Sequence, residues 1–213
     1  QFILDTAANY LTRPPKRSDV LSVFAGLRPL AAPRSEGKKT KEISRSHKLI
    51  REKSGLITII GGKWTTYRKM AQDTLDLAIR YMHIPTKDCI TERYQIHGSR
   101  KNPDFSDPLY VYGTDADEIR NLVASSPAMA EKLHPDYAYT VGEVTWLVRN
   151  EMPRTLEDVL ARRLRILFLD ARAAMAMAPK VAGILATEWG KDETWTSAQV
   201  KAFNEVASNY ILN

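Results

Sequence analysis

The sequence predicts an α+β protein, with mixed strands and helices in its first part and an all-helical C-terminal domain. Three observations carry this. The β-branched run Leu56-Ile57-Thr58-Ile59-Ile60 passes straight into Gly61-Gly62 and then into a helical period, with Tyr67, Ala71, Leu75, Ala78 and Met82 on one face. Residues 98–108 collect prolines, aspartates and an asparagine, the composition of a boundary. Beyond residue 109, one capped apolar period follows another. We therefore expect domains at 1–102 and 103–213.

In order, Phe2, Ile3, Thr6, Ala7 and Tyr10 share one face of a short helix, which Arg13-Pro14-Pro15-Lys16 ends. Val20–Ala25 reads as a buried strand, followed by the turn Gly26-Leu27-Arg28-Pro29-Leu30. Residues 31–41 form a basic loop. Residues 42–50 alternate as a strand with Ile43, Arg45, His47 and Leu49 on one face. Residues 56–60 form the next strand and Tyr67–Met82 a helix that Ile84-Pro85 closes. Arg93–His97 offers one more strand. In the second half, Thr114 with Asp117, Thr140 with Glu143, Thr155 with Asp158 and Thr196 with Gln199 have capping-box spacing. Pro127 starts a helix through Leu133, and a helix over Asp170–Trp189 stops at Gly190.

With 213 residues and 44% hydrophobic content, the chain can bury a core. Its net charge of +6 favours anionic partners. The pattern argues against nucleic acid, because Arg154, Arg162, Arg163, Arg165 and Arg172 are interleaved with acids rather than stacking aromatics. Intramolecular ion pairs are the expected use, including Asp158 with Arg162, worth about 0.3 kcal/mol. Cys89 is the single cysteine, so no disulfide forms within the chain. No run approaches the ~18 apolar residues of a membrane span, and the first ten residues lack the pattern of a signal peptide. The four histidines have no metal-ligand spacing.

The strand–Gly-Gly–helix junction at 56–68 is the candidate site. Two glycines allow a sharp turn and close approach. A helix start offers N–H groups and a positive dipole to an anion. Lys63, Thr65 and Thr66 add a cation and two hydroxyls, so the junction suits a phosphate or a phosphate-bearing cofactor.

Gly26-Leu27-Arg28-Pro29-Leu30, Ser44-Arg45-Ser46-His47, Gly61-Gly62-Lys63-Trp64-Thr65-Thr66-Tyr67-Arg68 and Thr155-Leu156-Glu157-Asp158-Val159-Leu160-Ala161-Arg162-Arg163 together resemble the C-terminal part of the FAD-dependent glycerol-3-phosphate dehydrogenases. The resemblance runs from about Asp19 to about residue 205. It implies oxidation of sn-glycerol 3-phosphate to dihydroxyacetone phosphate, with FAD as cofactor and electrons passed to a membrane quinone or, in some members, to oxygen. Arg28 and Lys63 would be the catalytic pair, and Arg28, Arg45 and Lys63 would bind substrate. Gly61, Gly62, Lys63, Trp64 and Thr65 would line the cofactor, Trp64 standing where many members have leucine. It implies an enzyme peripheral on the cytoplasmic inner face of a membrane, forming homodimers. The Gly-x-Gly-x-x-Gly fingerprint that would seat the FAD pyrophosphate is absent from these residues. Residues 1–102 then read as the end of a cofactor- and substrate-binding region, and the chain alone is expected neither to retain FAD nor to turn over. The alternative is a stand-alone, non-catalytic helical docking module.

Overall fold

The computed structural model describes residues 1–27 and 46–212. Its elements are α1 (Phe2–Ala8), β1 (Lys48–Arg51), β2 (Ile57–Ile60), α2 (Tyr67–Met82), α3 (Ala116–Ala124), α4 (Pro127–Ala130), α5 (Val141–Asn150), α6 (Ile166–Leu169), α7 (Ala171–Trp189) and α8 (Glu193–Ser208). A π-helical turn, Asp158–Arg163, precedes α6. The chain is α+β, as the sequence predicts, with its helices concentrated in the second half. It divides into two compact units, one of Gln1–Ala25 with His97–Asn213 and one of Gly26–Ile96. The first 25 residues thus belong with the helices.

In the smaller unit, β1 and β2 pair antiparallel, Lys48 opposite Ile60 and Arg51 opposite Ile57. Gly55, at φ +91°, makes the turn between them. From β2 the chain passes through Gly61-Gly62 and a 3-10 turn, Trp64–Thr66, into α2. His83 closes α2 in the left-handed conformation, and the Arg51 guanidinium lies 3.5 Å from the Tyr81 ring centroid. None of the described residues 46–96 is buried. The expected strand over 42–50 is confined, among described residues, to its C-terminal part in β1. Residues 42–45 lie outside the described residues. The expected strand at Arg93–His97 is corrected: these residues lie in turns and coil without a ladder partner.

The helical unit is built on fully buried Val144 and Leu147 of α5, Leu156, Val159 and Leu160 of the π-helical region, and Met177, Val181 and Leu185 of α7. Each such leucine or methionine contributes roughly 2 kcal/mol through its buried area. Capping sets the helix starts. Thr140 Oγ1 accepts the Glu143 N–H at 3.2 Å, and Thr155 Oγ1 accepts that of Asp158 at 3.1 Å. The Asp158 carboxylate in return accepts the Thr155 N–H at 3.0 Å, completing the box. Asp170 caps α7 through the Ala173 N–H at 2.9 Å, and Gly190 ends it at φ +63°.

Four expectations in this unit are corrected. Val20–Ala25 is not a strand: its backbone bonds to helix ends instead, with the Leu21 carbonyl accepting from Ala171 and the Val23 N–H donating to the Tyr210 carbonyl. Thr114 does not cap α3. It sits in a 3-10 segment after Gly113, whose φ of +56° breaks the helical path, and Asp115 takes the cap position. The helix at Pro127 stops at Ala130, because Lys132 bridges Thr140. Asp192 rather than Thr196 caps α8, and Gln199 turns its amide oxygen to the Leu156 N–H at 3.0 Å.

Candidate functional site

The β2–α2 junction is formed as its residue types require. Gly61 and Gly62 both have positive φ, +75° and +84°. At φ +84° a side chain on Gly62 would be strained, and its Cβ would crowd the flexible end of Met70 and press on His47 Cβ at 3.3 Å, so the position favours glycine. The turn leaves Lys63, Trp64 and Thr65 exposed. Trp64 is 86% exposed and stacks on Tyr67 with ring centroids 5.6 Å apart.

Beside the turn lies an open cavity of about 320 Å³, lined by Ser46, His47, Lys63, Thr66 and Lys69. Asp73 stands next to this lining and holds two of its members. Its Oδ2 lies 2.9 Å from His47 Nε2, and its Oδ1 2.9 Å from Lys69 Nζ. The hydrogen bond to Asp73 raises the Lys69 ammonium above its ordinary value, and Lys69 in turn holds the Asp73 carboxyl below its own. Lys69 therefore stays charged across the neutral range. Two lysines, an imidazole and two hydroxyls facing one space can hold a phosphate or another small oxyanion.

One part of the anion reading changes. The Lys63 N–H, expected to be free at the helix start, donates to Thr66 Oγ1 at 3.3 Å, whose hydroxyl returns a bond to the Lys63 carbonyl at 3.0 Å. The cation supply here comes from side chains more than from that backbone group. Arg68, at the end of the motif, is turned away to Gln72, Thr91 and Glu92.

Of the residues expected at the site, the structure brings Lys63 to the cavity and sets Gly61, Gly62, Trp64 and Thr65 along the adjoining turn. Arg28 and Arg45 lie outside the described residues. Lys69 and Asp73 were missed by the sequence reading. Their i,i+4 spacing on α2 was a usable signal, but their approach to His47 depends on tertiary packing. Among the described residues no cluster of His, Cys, Asp and Glu could hold a metal ion, and no helix is long and apolar enough to cross a membrane.

The arginine-rich segment is structural. Arg162 pairs with Glu157 at 2.7 Å and Asp158 at 3.1 Å. Arg163 donates to the Asp158 and Glu151 carbonyls and lies 3.5 Å from the Glu151 carboxylate.

An α+β chain with a glycine-turned, cation-lined junction and a helical second half is the class these features define. Residues 56–196 match the family described as the C-terminal domain of alpha-glycerophosphate oxidase, and the chain belongs to that family. It is 33% identical to the mitochondrial glycerol-3-phosphate dehydrogenase of Arabidopsis thaliana, over 98% of this chain and 40% of that protein. It is 35% identical to the probable mitochondrial glycerol-3-phosphate dehydrogenase of Caenorhabditis elegans, over 99% of this chain and 32% of that protein. With the Mus musculus enzyme of the same description the identity is 30%, over 99% and 31%. The chain thus spans between 31% and 40% of the length of these relatives.

Proposed function

We propose that this chain supplies the substrate-facing C-terminal part of a longer flavin-dependent oxidoreductase that oxidises sn-glycerol 3-phosphate to dihydroxyacetone phosphate. The observation that carries the reading is the cavity of His47, Lys63, Thr66 and Lys69 beside the Gly61-Gly62 turn, in a chain of the glycerophosphate oxidase family.

The residues at the turn fit one edge of FAD. Gly62 holds a positive φ that favours glycine, and exposed Lys63, Trp64 and Thr65 leave a polar, aromatic surface beside it. The cofactor's pyrophosphate would have to be held by residues beyond this sequence, which has no Gly-x-Gly-x-x-Gly. When bound, FAD supplies the hydride acceptor. Lys63 places a positive charge where substrate phosphate and reduced cofactor bring negative charge. Lys69 and His47 add to that field, and Asp73 fixes their positions. Thr66 can offer its hydroxyl. Arg28 and Arg45 complete the proposal as forked donors to the phosphate. Quinone as acceptor, a peripheral seat on a membrane face and a homodimer follow from the family resemblance and belong to the same proposal. The mitochondrial location in the relatives' names is theirs.

A stand-alone, non-catalytic helical docking module is the weaker reading, because the cation-lined cavity that supports the proposal lies on residues 46–69, outside the helical unit.

The test is the longer protein carrying this sequence, purified with its bound cofactor. Glycerol 3-phosphate, and not glycerol, is expected to bleach its flavin absorbance, while the 213-residue chain alone reduces no dye. A flavin-free longer protein, or one indifferent to glycerol 3-phosphate, would overturn the reading.

A further inference from the structure

The helical unit holds a cavity lined by none of the residues placed at the β2–α2 junction. It has a volume of about 630 Å³, within the range of roughly 300–1,000 Å³ usual for small-molecule sites. Its walls are largely aromatic and aliphatic, with Tyr110, Tyr112, Phe168 and Leu169 among them. The polar groups of the wall are nearly all engaged. The Tyr112 hydroxyl donates to Glu143 at 2.7 Å, the Tyr139 hydroxyl to the Leu164 carbonyl at 3.0 Å, and Arg163 to the Glu151 and Asp158 carbonyls.

Arg165 stands apart: on Arg163 only the buried Nε, 3.5 Å from the Glu151 carboxylate, lacks a hydrogen bond, whereas the whole Arg165 guanidinium is unengaged. It lines the cavity, is exposed, and its side chain makes no hydrogen bond or ion pair among the described residues. Its guanidinium instead lies 5.9 Å from the Phe168 ring centroid. The backbone there is unusual twice over. Asp158–Arg163 is π-helical, and Arg165 follows in the left-handed region at φ +60°. π-turns and left-handed non-glycine residues are both rare, and both gather at binding sites. A continuous α-helix over this stretch would place Arg165 elsewhere, so the irregularity sets where the charge stands. Burial raises the Glu143 carboxyl to about 7, so this wall repels an anion less than an ordinary glutamate would at neutral pH.

We propose that this cavity is a ligand site for a small organic anion with an aromatic or aliphatic body, its charged group paired with Arg165 and its body lying against Phe168, Tyr110 and Leu169. The arrangement selects by charge at the rim and by apolar contact within. It is independent of the glycerol 3-phosphate reading and stands or falls without it.

Anilinonaphthalene sulfonate, an aromatic anion, is the probe, with uncharged phenylnaphthylamine as its control. Fluorescence titration of the 213-residue chain is expected to show saturable one-site binding of the anion and weaker binding of the uncharged analogue. Arg165→Asn removes the charge with a residue that tolerates the left-handed conformation, and should weaken the anion by about tenfold or more. Arg165→Lys should restore most of the affinity, and Arg162→Ala, whose partners lie outside the cavity, should change nothing. Non-saturable binding, equal affinity for both probes, or an Arg165→Asn protein binding like the parent would overturn the proposal. If Arg165→Asn shifts the unfolding midpoint, Leu169→Trp at the exposed rim decides instead. Loss of binding of both probes supports the site, and unchanged binding refutes it.

Discussion

Glu143 is the buried carboxylate of the described residues. It is 4% exposed, and burial lifts its carboxyl from 4.5 to about 7, against the opposing hydrogen bonds from the Tyr112 hydroxyl and the Thr140 N–H. Tyr112 is pushed well above its usual value by burial first and by the Glu143 charge second. The sign for stability follows from proton counts. Between 4.5 and about 7 the folded chain holds a proton that the unfolded chain has lost, so stability falls as pH rises through that window. The cost is complete above about 7 and is on the order of 3 kcal/mol. Thermal unfolding at pH values either side of this window should show the loss, and Glu143→Gln, which still accepts from Tyr112, should flatten it. A Glu143→Gln protein with the parent's pH dependence would assign the effect to another group. No sequence pattern announced this, because Thr140 with Glu143 reads as a surface capping box. Only the packing of Tyr112 onto α5 turns the glutamate into a buried acid.

At the scale of elements, what was legible depended on whether the signal was local. The run Ile57–Ile60, the two glycines and the period of α2 are contiguous in sequence, and the structure forms them in place. Val20–Ala25 has the same apolar composition, yet it forms no ladder. The partners that satisfy its backbone are the ends of distant helices, at Ala171 and Tyr210. Composition alone cannot distinguish these two outcomes. Likewise Leu156, Val159, Leu160, Leu164 and Leu167 are all buried as their spacing predicts, but the π-turn and Arg165 interrupt the helix that the spacing implies. Asp170 shows how much one cap carries. It accepts the Ala173 N–H at the start of α7 and the Tyr137 hydroxyl, each at 2.9 Å. Asp170→Ala should cost about 1–2 kcal/mol in urea unfolding, and Asp170→Asn, itself a good cap, clearly less. Equal losses in the two variants would mean that the carboxylate charge, rather than the cap, is what matters.

At the scale of the whole molecule, the two units differ in kind. The helical unit has a continuous core from Leu133 to Ala207. The described part of the other unit has a two-stranded sheet and one long helix with no buried residue. Hydrogen exchange should therefore separate them, with amides of β1, β2 and α2 exchanging about 100-fold faster than those of α7. Comparable protection in both would show that the smaller unit is stabilised by more than its described contacts. The candidate site sits on this weakly cored unit. The sequence reached the glycine turn and Lys63 because they form one contiguous motif. It missed Asp73, which binds His47 across 26 residues of sequence. The measurement that bears most directly on the account is kcat/KM for glycerol 3-phosphate in the longer protein, with and without Lys63→Met. If Lys63 pairs with the substrate phosphate as proposed, its loss lowers kcat/KM by about 100-fold or more, with cofactor content unchanged. A Lys63→Met enzyme as efficient as the parent would contradict the claim that this junction is where the substrate is held.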